Sequence, residues 1–379
     1  SVDAPNSARV IQWYAETIDK TYDEIAPAPR NALAMVTREP LGVIGAVVPW
    51  NYPMMITSWK LGPALAMGNT IVVKPAENSS LSALKMAELA IAAGLPAGVF
   101  NVVPGLGAEA GQALARHMDV AKIAFTGSGP TGRKMMQYAA ESNMKQVSLE
   151  LGGKSPQVVL NDCTDLEAAA STIAWAIYYN AGQTCNAGSR IIVEKGVKEE
   201  LFAHLHKFLE SFVVGNQFNP ATQMAGLVSE LQRDRVNAYL DLIGQDGEKL
   251  VFGGEKTTGK DLLIKPTLID NVKPGSRLAQ EEIFGPVLVA IDAKDEAEAL
   301  QLANGTEYGL AASVWTSNVA RAHKFARKLR AGTVWVNTFD MLDVITPFGG
   351  FGASGNGRDK SLHALDAYSA LKTTWVDLN

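Results

Sequence analysis

The chain is 379 residues long, 47% hydrophobic and 19% charged, with a net charge of −5. That length exceeds what one hydrophobic core usually fills, so two domains are expected, and the composition is that of a folded chain rather than a disordered one. With no basic surplus and no apolar run of the ~18–20 residues a membrane span needs, neither nucleic acid nor a bilayer is an expected partner.

The segment "ARVIQWYAETIDKTYDEI" places apolar or aromatic residues at Val10, Trp13, Tyr14, Ile18, Tyr22 and Ile25, a helical spacing. "APAPRN" breaks it, and "ALAMVTREP" reads as an extended arm. Strand-like runs follow at "VIGAVV", "TIVVKP", "VFNVV", "KIAFTG" and "QVSLEL", separated by helical segments such as "SALKMAELAIAAG" and "GRKMMQYAAES". Strands interleaved with helices predict a mostly parallel sheet covered on both faces. A second alternating block begins near residue 153 with "SPQVVL", "LEAAASTIAWAIYY", "SRIIVE" and "KEELFAHLHKFLESF". Two α/β domains are therefore expected, with a boundary near Gly152–Gly153, where paired glycines permit a hinge or close backbone contact. The basic run "RAHKFARKLR" (321–330) is expected to be the solvated face of a helix.

The two cysteines, Cys163 and Cys185, do not make a disulfide framework, and no basic-then-apolar leader is visible, so a cytosolic setting is expected. Cys185 lies in "YYNAGQTCNAGSR", among small hydrogen-bonding residues rather than the apolar neighbours a buried cysteine usually has. On these residues alone, a core position and a reactive thiol stay equally open. "KIAFTGSGPTG" carries Gly127, Gly129 and Gly132 between a strand and a helix, a loop able to hold a diphosphate on backbone amides. Glu150 lies at about the spacing of the acid that binds ribose hydroxyls in such sites. Glu77, just past the strand end in "TIVVKPAE" and beside Lys74, is the better ribose ligand; it would repel a 2′-phosphate and favour NAD, while the lysine leaves some use of NADP open. The competing reading of Glu77 and Lys74 is a surface ion pair worth little. No metal site is expected: His204 and His206 point apart on a helix, and neither H-E-x-x-H nor paired C-x-x-C occurs.

At "LELGGKSP", "GQTCNAGSR", "EEIFGPV" and "PFGGFGASGNGR", with "PWNYP" and "KPAE" upstream, the sequence resembles the aldehyde dehydrogenase superfamily over essentially its whole length. Within it, the chain is most similar to γ-glutamyl-γ-aminobutyraldehyde and related aminoaldehyde dehydrogenases, a likeness carried largely by "SGNGRDKSLHALDAYSALKTTW". The resemblance implies an α/β fold with three parts. These are a Rossmann-like doubly wound NAD-binding domain (1–20 and 41–152), an α/β catalytic domain (153–352), and a β oligomerisation arm (21–40 and 368–379) that pairs subunits into homodimers or homotetramers. Family members are longer, so an N-terminal part of the cofactor domain is expected to be missing.

The activity implied is oxidation of an aldehyde, an aminoaldehyde of the kind met in polyamine degradation, with NAD as cofactor and NADP possible. By position in the motifs, Cys185 matches the nucleophile, Asn51 the amide that stabilises the alkoxide, and Glu150 the base that activates water against the thioester. Glu150 is therefore assigned to the base role and not to the ribose. Glu282, rather than Glu281, matches the ligand of the nicotinamide ribose, and Phe284 the ring packed beside the nicotinamide. Ser128 is implied at the diphosphate, Gly107 at the adenine, and Val48, Pro49 and Trp50 along the cofactor; Lys74, Glu77, Phe125, Gly127, Leu151 and Gly152 complete that set. Tyr52, Trp59, Tyr179, Thr184, Asn186 and Phe348 are implied to line the aldehyde channel. Asp340 and Asp343 near its mouth are expected to favour a cationic aldehyde. Three alternatives compete: an inactive or truncated member with a structural role, transfer of the acyl group to coenzyme A, disfavoured by Glu150, and a Cys–His hydrolase, for which no histidine motif is present.

Overall fold

The computed structural model describes residues 2–379; Ser1, the first residue of the expected cofactor domain, lies outside them. The described residues form two compact units. One runs up to Leu151 and takes in Leu342–Gly349 and Gly355–Asn379; the other comprises Gly152–Met341 and Gly350–Ser354.

The first unit contains α1 (Asp3–Ala15), β1 (Glu24–Ala26), β2 (Ala32–Pro40), β3 (Val43–Val47), α2 (Pro53–Ala66), β4 (Thr70–Lys74), α3 (Ser80–Ala92), β5 (Phe100–Val102), α4 (Gln112–Arg116), β6 (Val120–Thr126), α5 (Gly129–Ala140) and β7 (Gln146–Glu150). Among the described residues, a parallel sheet runs in the order β5-β4-β3-β6-β7. Its central strands are buried runs such as "VIGAV", "TIVV" and "KIAF", as a sheet covered on both faces requires. The chain steps from β3 outward to β4 and β5, then crosses back to β6 and β7. Connections therefore diverge between β3 and β6, and the loops beyond their carboxyl ends surround the crevice where such sheets bind ligands.

The first helix is shorter than its apolar spacing suggests. It stops at Ala15, where both the N–H and the hydroxyl of Thr17 donate to the Tyr14 carbonyl, at 3.1 and 2.8 Å, and tighten the chain out of the α-helix. Ile18, Tyr22 and Ile25 consequently stay exposed at 59%, 75% and 76%. In this case backbone competition outweighs periodicity.

The second unit contains β8 (Pro156–Val159), α6 (Leu166–Tyr178), β9 (Arg190–Glu194), α7 (Lys195–Glu210), α8 (Glu230–Leu240), β10 (Lys249–Phe252), β11 (Thr267–Asp270), α9 (Arg277–Gln280), β12 (Val287–Ala293), α10 (Glu296–Asn304), β13 (Ala311–Trp315), α11 (Val319–Ala326) and β14 (Thr333–Val336). Their order is β10-β11-β12-β9-β8-β13-β14, parallel except for the antiparallel edge β10. Asp165 starts α6 by accepting from the Ala168 N–H at 3.0 Å, and the helix buries Leu166, Ala169, Ala170, Ile173, Ala174 and Ile177 along one face. The basic run is only partly a solvated face: Arg321 is bound to Asp162, Glu194 and Glu296, while Phe325 and Leu329 are buried.

Beyond the second unit, α12 (His363–Asp366) and β15 (Ser369–Asp377) complete the first. β15 lies antiparallel to β2 along its full length, and β2 pairs with β1, making a separate sheet in the order β1-β2-β15.

Candidate functional site

In the first unit, several expected site residues gather at the carboxyl ends of the sheet. Val48, Pro49, Trp50, Asn51 and Tyr52 follow β3 and lead into α2, whose first turn is held by the Asp3 carboxylate accepting from the Met54 and Met55 N–H groups at 3.0 and 2.9 Å. Beyond β4, Glu77 Oε1 accepts from Lys74 Nζ and from the Gly107 N–H, both at 2.7 Å. Burial would raise the pKa of Glu77, but the hydrogen bonds from Lys74 and Gly107 outweigh it and keep the carboxyl below its ordinary range. Past β6, Gly127 and Ser128 lead directly into the amino end of α5, and the Gly127 N–H donates to the Glu150 carbonyl at 3.0 Å. Phe125 and Leu151 are core residues packed with Val47, Met135 and Leu149; their side chains support this edge from beneath. A carboxylate tied to a strand end and an open helix amino terminus fit a dinucleotide: Glu77 would accept from ribose hydroxyls, and the α5 amides would face a diphosphate.

Glu150, the last residue of β7, is 3% exposed, and among the described residues neither carboxylate oxygen has a hydrogen-bond partner. Burial, then the charge of Asp359, pushes its pKa well above the ordinary carboxylate value, against the opposing pull of Lys60 and Arg358. Lys60, from α2, forms a buried ion pair with Asp359. Lys122 donates to Ser148 Oγ at 2.5 Å, and its pKa falls to about 8 through burial and repulsion from Lys60, opposed by Asp359. The sequence reading missed Lys60 and Asp359. The available signal was a lone lysine in the otherwise uncharged helix "PMMITSWKLGPALA", since a buried lysine needs a partner. Trp59 and Phe348 are almost fully buried and pack against one another with ring centroids 5.3 Å apart and planes tilted by 55°, with the Lys360 ammonium over both rings. Asp343 forms a 2.6 Å ion pair with Arg9, which lies on the exposed face of α1.

Cys185 belongs to the second unit and lies half-buried in the loop after α6. That helix ends abruptly: Asn180, Ala181 and Gly182 take φ values of 50°, 53° and 71°. A side chain at Gly182 would come within 2.1 Å of the Gly285 carbonyl, so the cysteine loop can lie against the "FGP" turn only because residue 182 is glycine. Gln183 fastens the same loop by accepting from the Val228 N–H at 3.0 Å. Tyr179, Thr184, Asn186 and Asp340 line a cavity of about 170 Å³ with Thr172, Trp175, Ala176 and Phe339. Asn186 Nδ2 donates to Asp340 at 2.7 Å, which places a single carboxylate on a wall that also carries the rings of Trp175, Tyr179 and Phe339. The sequence reading missed Thr172, Trp175 and Ala176, although together with Tyr179 they follow one helical face.

The pair Gly152–Gly153 shows close approach. A side-chain carbon at 152 would lie 2.1 Å from the Glu282 carboxylate, and one at 153 would lie 2.7 Å from the Cys185 carbonyl. Glu282 accepts from the Gly153 N–H at 3.1 Å, and burial pushes its pKa up to about 7 against that bond and the charges of Arg235 and Lys154. Its loop is held by α8: Arg235 donates to the Glu282 carbonyl at 2.6 Å, and Gln232 to the carbonyl of Phe284 at 2.8 Å, with Phe284 at φ 58°. Glu281 is engaged elsewhere, accepting from Arg277 and from the Tyr239 hydroxyl.

Comparison with known proteins identifies the family. The model of the aldehyde dehydrogenase family matches residues 1–374. The NADP/NAD-dependent aldehyde dehydrogenase PuuC of Escherichia coli strain K12 is 50% identical over 376 residues, covering 99% of this chain and 76% of that protein. The solved structure of an indole-3-acetaldehyde dehydrogenase in complex with NAD+ superposes with a TM-score of 0.97 at 51% identity, over 100% of this chain and 77% of that one. The γ-glutamyl-γ-aminobutyraldehyde dehydrogenase of Burkholderia cenocepacia J2315 gives a TM-score of 0.96 at 51% identity, with the same coverage. The architecture is thus the aldehyde dehydrogenase fold, and among the described residues no helix is long and apolar enough to cross a membrane. This chain belongs to the aldehyde dehydrogenase family, as an NAD(P)-dependent oxidoreductase acting on an aldehyde.

Proposed function

We propose that the enzyme oxidises an aminoaldehyde, of the size of γ-glutamyl-γ-aminobutyraldehyde, to its carboxylic acid through a thioester on Cys185. The observation that carries this reading is the buried carboxylate of Glu150, which has no hydrogen-bond partner among the described residues and a strongly raised pKa. Those are the properties of a group meant to take a proton from water near neutral pH.

In this reading the Cys185 thiolate attacks the carbonyl carbon, and the π electrons move to oxygen, where the Asn51 amide and the Cys185 N–H donate to the alkoxide. As the alkoxide collapses, a hydride leaves the carbon; NAD, when bound, would accept it, with Glu77, the α5 amino end and Glu282 as the proposed cofactor ligands. The acyl group then remains on Cys185 as a thioester. Glu150 takes a proton from a water molecule, whose oxygen attacks the acyl carbon; the sulfur leaves as thiolate and the carboxylic acid departs. A reduced thiol such as Cys185 persists in the cytoplasm, the compartment proposed for this enzyme. The preference for an amino-bearing substrate is supported by Asp340 on the cavity wall and by likeness to the Burkholderia enzyme.

Assembly as a homodimer or homotetramer is proposed through the β1-β2-β15 sheet. Leu371 and Trp375 on β15 are exposed, and a strand edge of this kind favours pairing with another chain. Light scattering at micromolar concentration tests this; a clean monomer mass counts against it.

The catalytic reading is tested by following absorbance of the reduced cofactor with NAD and a short aminoaldehyde. Cys185→Ala should abolish the signal. Glu150→Gln should give a single burst, of about one reduced cofactor per subunit, and then stall with the thioester in place. A folded Cys185→Ala variant that turns over at the normal rate refutes the mechanism, and a silent but folded wild type favours a non-catalytic role.

A further inference from the structure

We propose that Lys154 is a positioning residue for the cofactor: its buried ammonium keeps the Glu282 carboxylate ionised and able to accept ribose hydroxyls, a role that rests on Glu282 being the ribose ligand. Lys154 directly follows the Gly152–Gly153 pair. It is 1% exposed, and among the described residues its Nζ has no hydrogen-bond partner. A cation in that state is costly, and an apolar residue of the same length would relieve the cost. Its presence therefore calls for a charge that it balances.

The surroundings leave one candidate. Arg190 is itself buried and directs its guanidinium to the carbonyls of Lys154, Leu302 and Ala303, and its charge repels the Lys154 ammonium. Glu281 is already bound to Arg277 and Tyr239. The cavity beside Lys154, which Ser155, Asn304 and Tyr308 also line, measures about 10 Å³; it holds one water at most, not a separate anion. Glu282 remains.

On the Glu282 side, the Gly153 N–H donates at 3.1 Å, the charges of Arg235 and Lys154 favour the ionised carboxylate, and burial, then the Glu282 charge, raises the pKa of Tyr308. Arg235 makes its contact at the surface, where salt screens its charge; Lys154 acts from the interior, where salt does not. Burial, with repulsion from Arg190, lowers the pKa of Lys154 to about 7, and burial raises that of Glu282 to about 7; the charge of each opposes the shift of the other. Take the ammonium away and burial acts on Glu282 with less opposition. At neutral pH more of it is then protonated, and a protonated carboxyl gives up acceptor capacity that a ribose diol needs.

The test is NAD+ binding to the intact chain, read by quenching of tryptophan fluorescence between about pH 6 and about pH 9, the range over which groups with a pKa near 7 change state. Lys154→Met should raise Kd about fivefold at neutral pH for the first unit by which the Glu282 pKa is raised from about 7. The weakening should fade as pH rises and stay constant as salt is added, whereas that of Arg235→Met should shrink with salt. In a Glu282→Gln background Lys154→Met should add nothing. Lys154→Gln carries the same test should the methionine variant fail to fold. If Lys154→Met weakens binding equally in the wild-type and Glu282→Gln backgrounds, or equally at every pH, the inference is overturned while the ribose assignment stands. If Glu282→Gln binds NAD+ as the wild type does, the ribose assignment fails and takes the inference with it.

Discussion

Replacing Glu150 by glutamine should exchange activity for stability, with a pH dependence set by the burial of the carboxylate. The group sits at the end of β7 with both oxygens lacking hydrogen-bond partners among the described residues, and its folded pKa lies well above the ordinary 4.5. The sign follows from proton binding. Between about 4.5 and the folded value, the native protein holds a proton on Glu150 that the unfolded chain has already released. Native stability therefore falls as pH rises through that window, by up to about 1.4 kcal/mol per unit. Glutamine does not titrate, so the stability of Glu150→Gln relative to wild type should be flat below about pH 4.5, climb through the window, and level off above the folded value. The unsatisfied amide adds a pH-independent offset, of about 1–3 kcal/mol, that leaves the slope intact. Urea unfolding of both proteins across a pH series measures the difference directly, while turnover of the variant should drop at least about 100-fold. A difference that stays flat from acid to alkaline pH would refute the placement of a buried, proton-holding carboxylate at 150.

The Lys60–Asp359 pair gives a second test: Lys60→Met should move the acid limb of the turnover profile up, and Asp359→Asn should move it down. Limbs that shift in the same direction count against electrostatic control of Glu150. Gly182→Ala should destabilise the chain by more than about 2 kcal/mol, since residue 182 has φ 71° and the added carbon would meet the Gly285 carbonyl at 2.1 Å. The rate of Cys185 alkylation by iodoacetamide should change with it; an unchanged rate and an unchanged urea midpoint would show that the cysteine loop does not depend on this contact. Asp340→Asn should lower kcat/KM for an aminoaldehyde relative to a neutral aldehyde of equal length, by about five- to tenfold for one partly desolvated charge pair. An unchanged ratio would remove Asp340 from substrate selection.

Much of the architecture was legible because its signals are local. β3, β4 and β6 are short β-branched runs with turn residues on either side, and their alternation with helices specifies a parallel sheet. The neighbours of Cys185 left a core position and a reactive thiol equally open, and only the surrounding motifs pointed to the second. The misreading of residues 16–25 as helix has a local cause as well: apolar spacing is blind to the hydroxyl of Thr17, which bonds the backbone that the helix would have used.

The environment of each charge was not legible. Asp340 and Asp343 are three residues apart and look equivalent in sequence, yet Asp343 is bound to Arg9, 334 positions away, and Asp340 to Asn186. Lys60, Lys122 and Lys154 resemble surface lysines until folding removes them from water. Residue types and their spacing, acting over a few neighbours, determined the strands, most of the helices and the chemical repertoire of this chain. Only the tertiary structure decided which carboxylates keep a proton and which cations face them, because desolvation and Coulomb energies depend on distances between segments that the linear order does not contain.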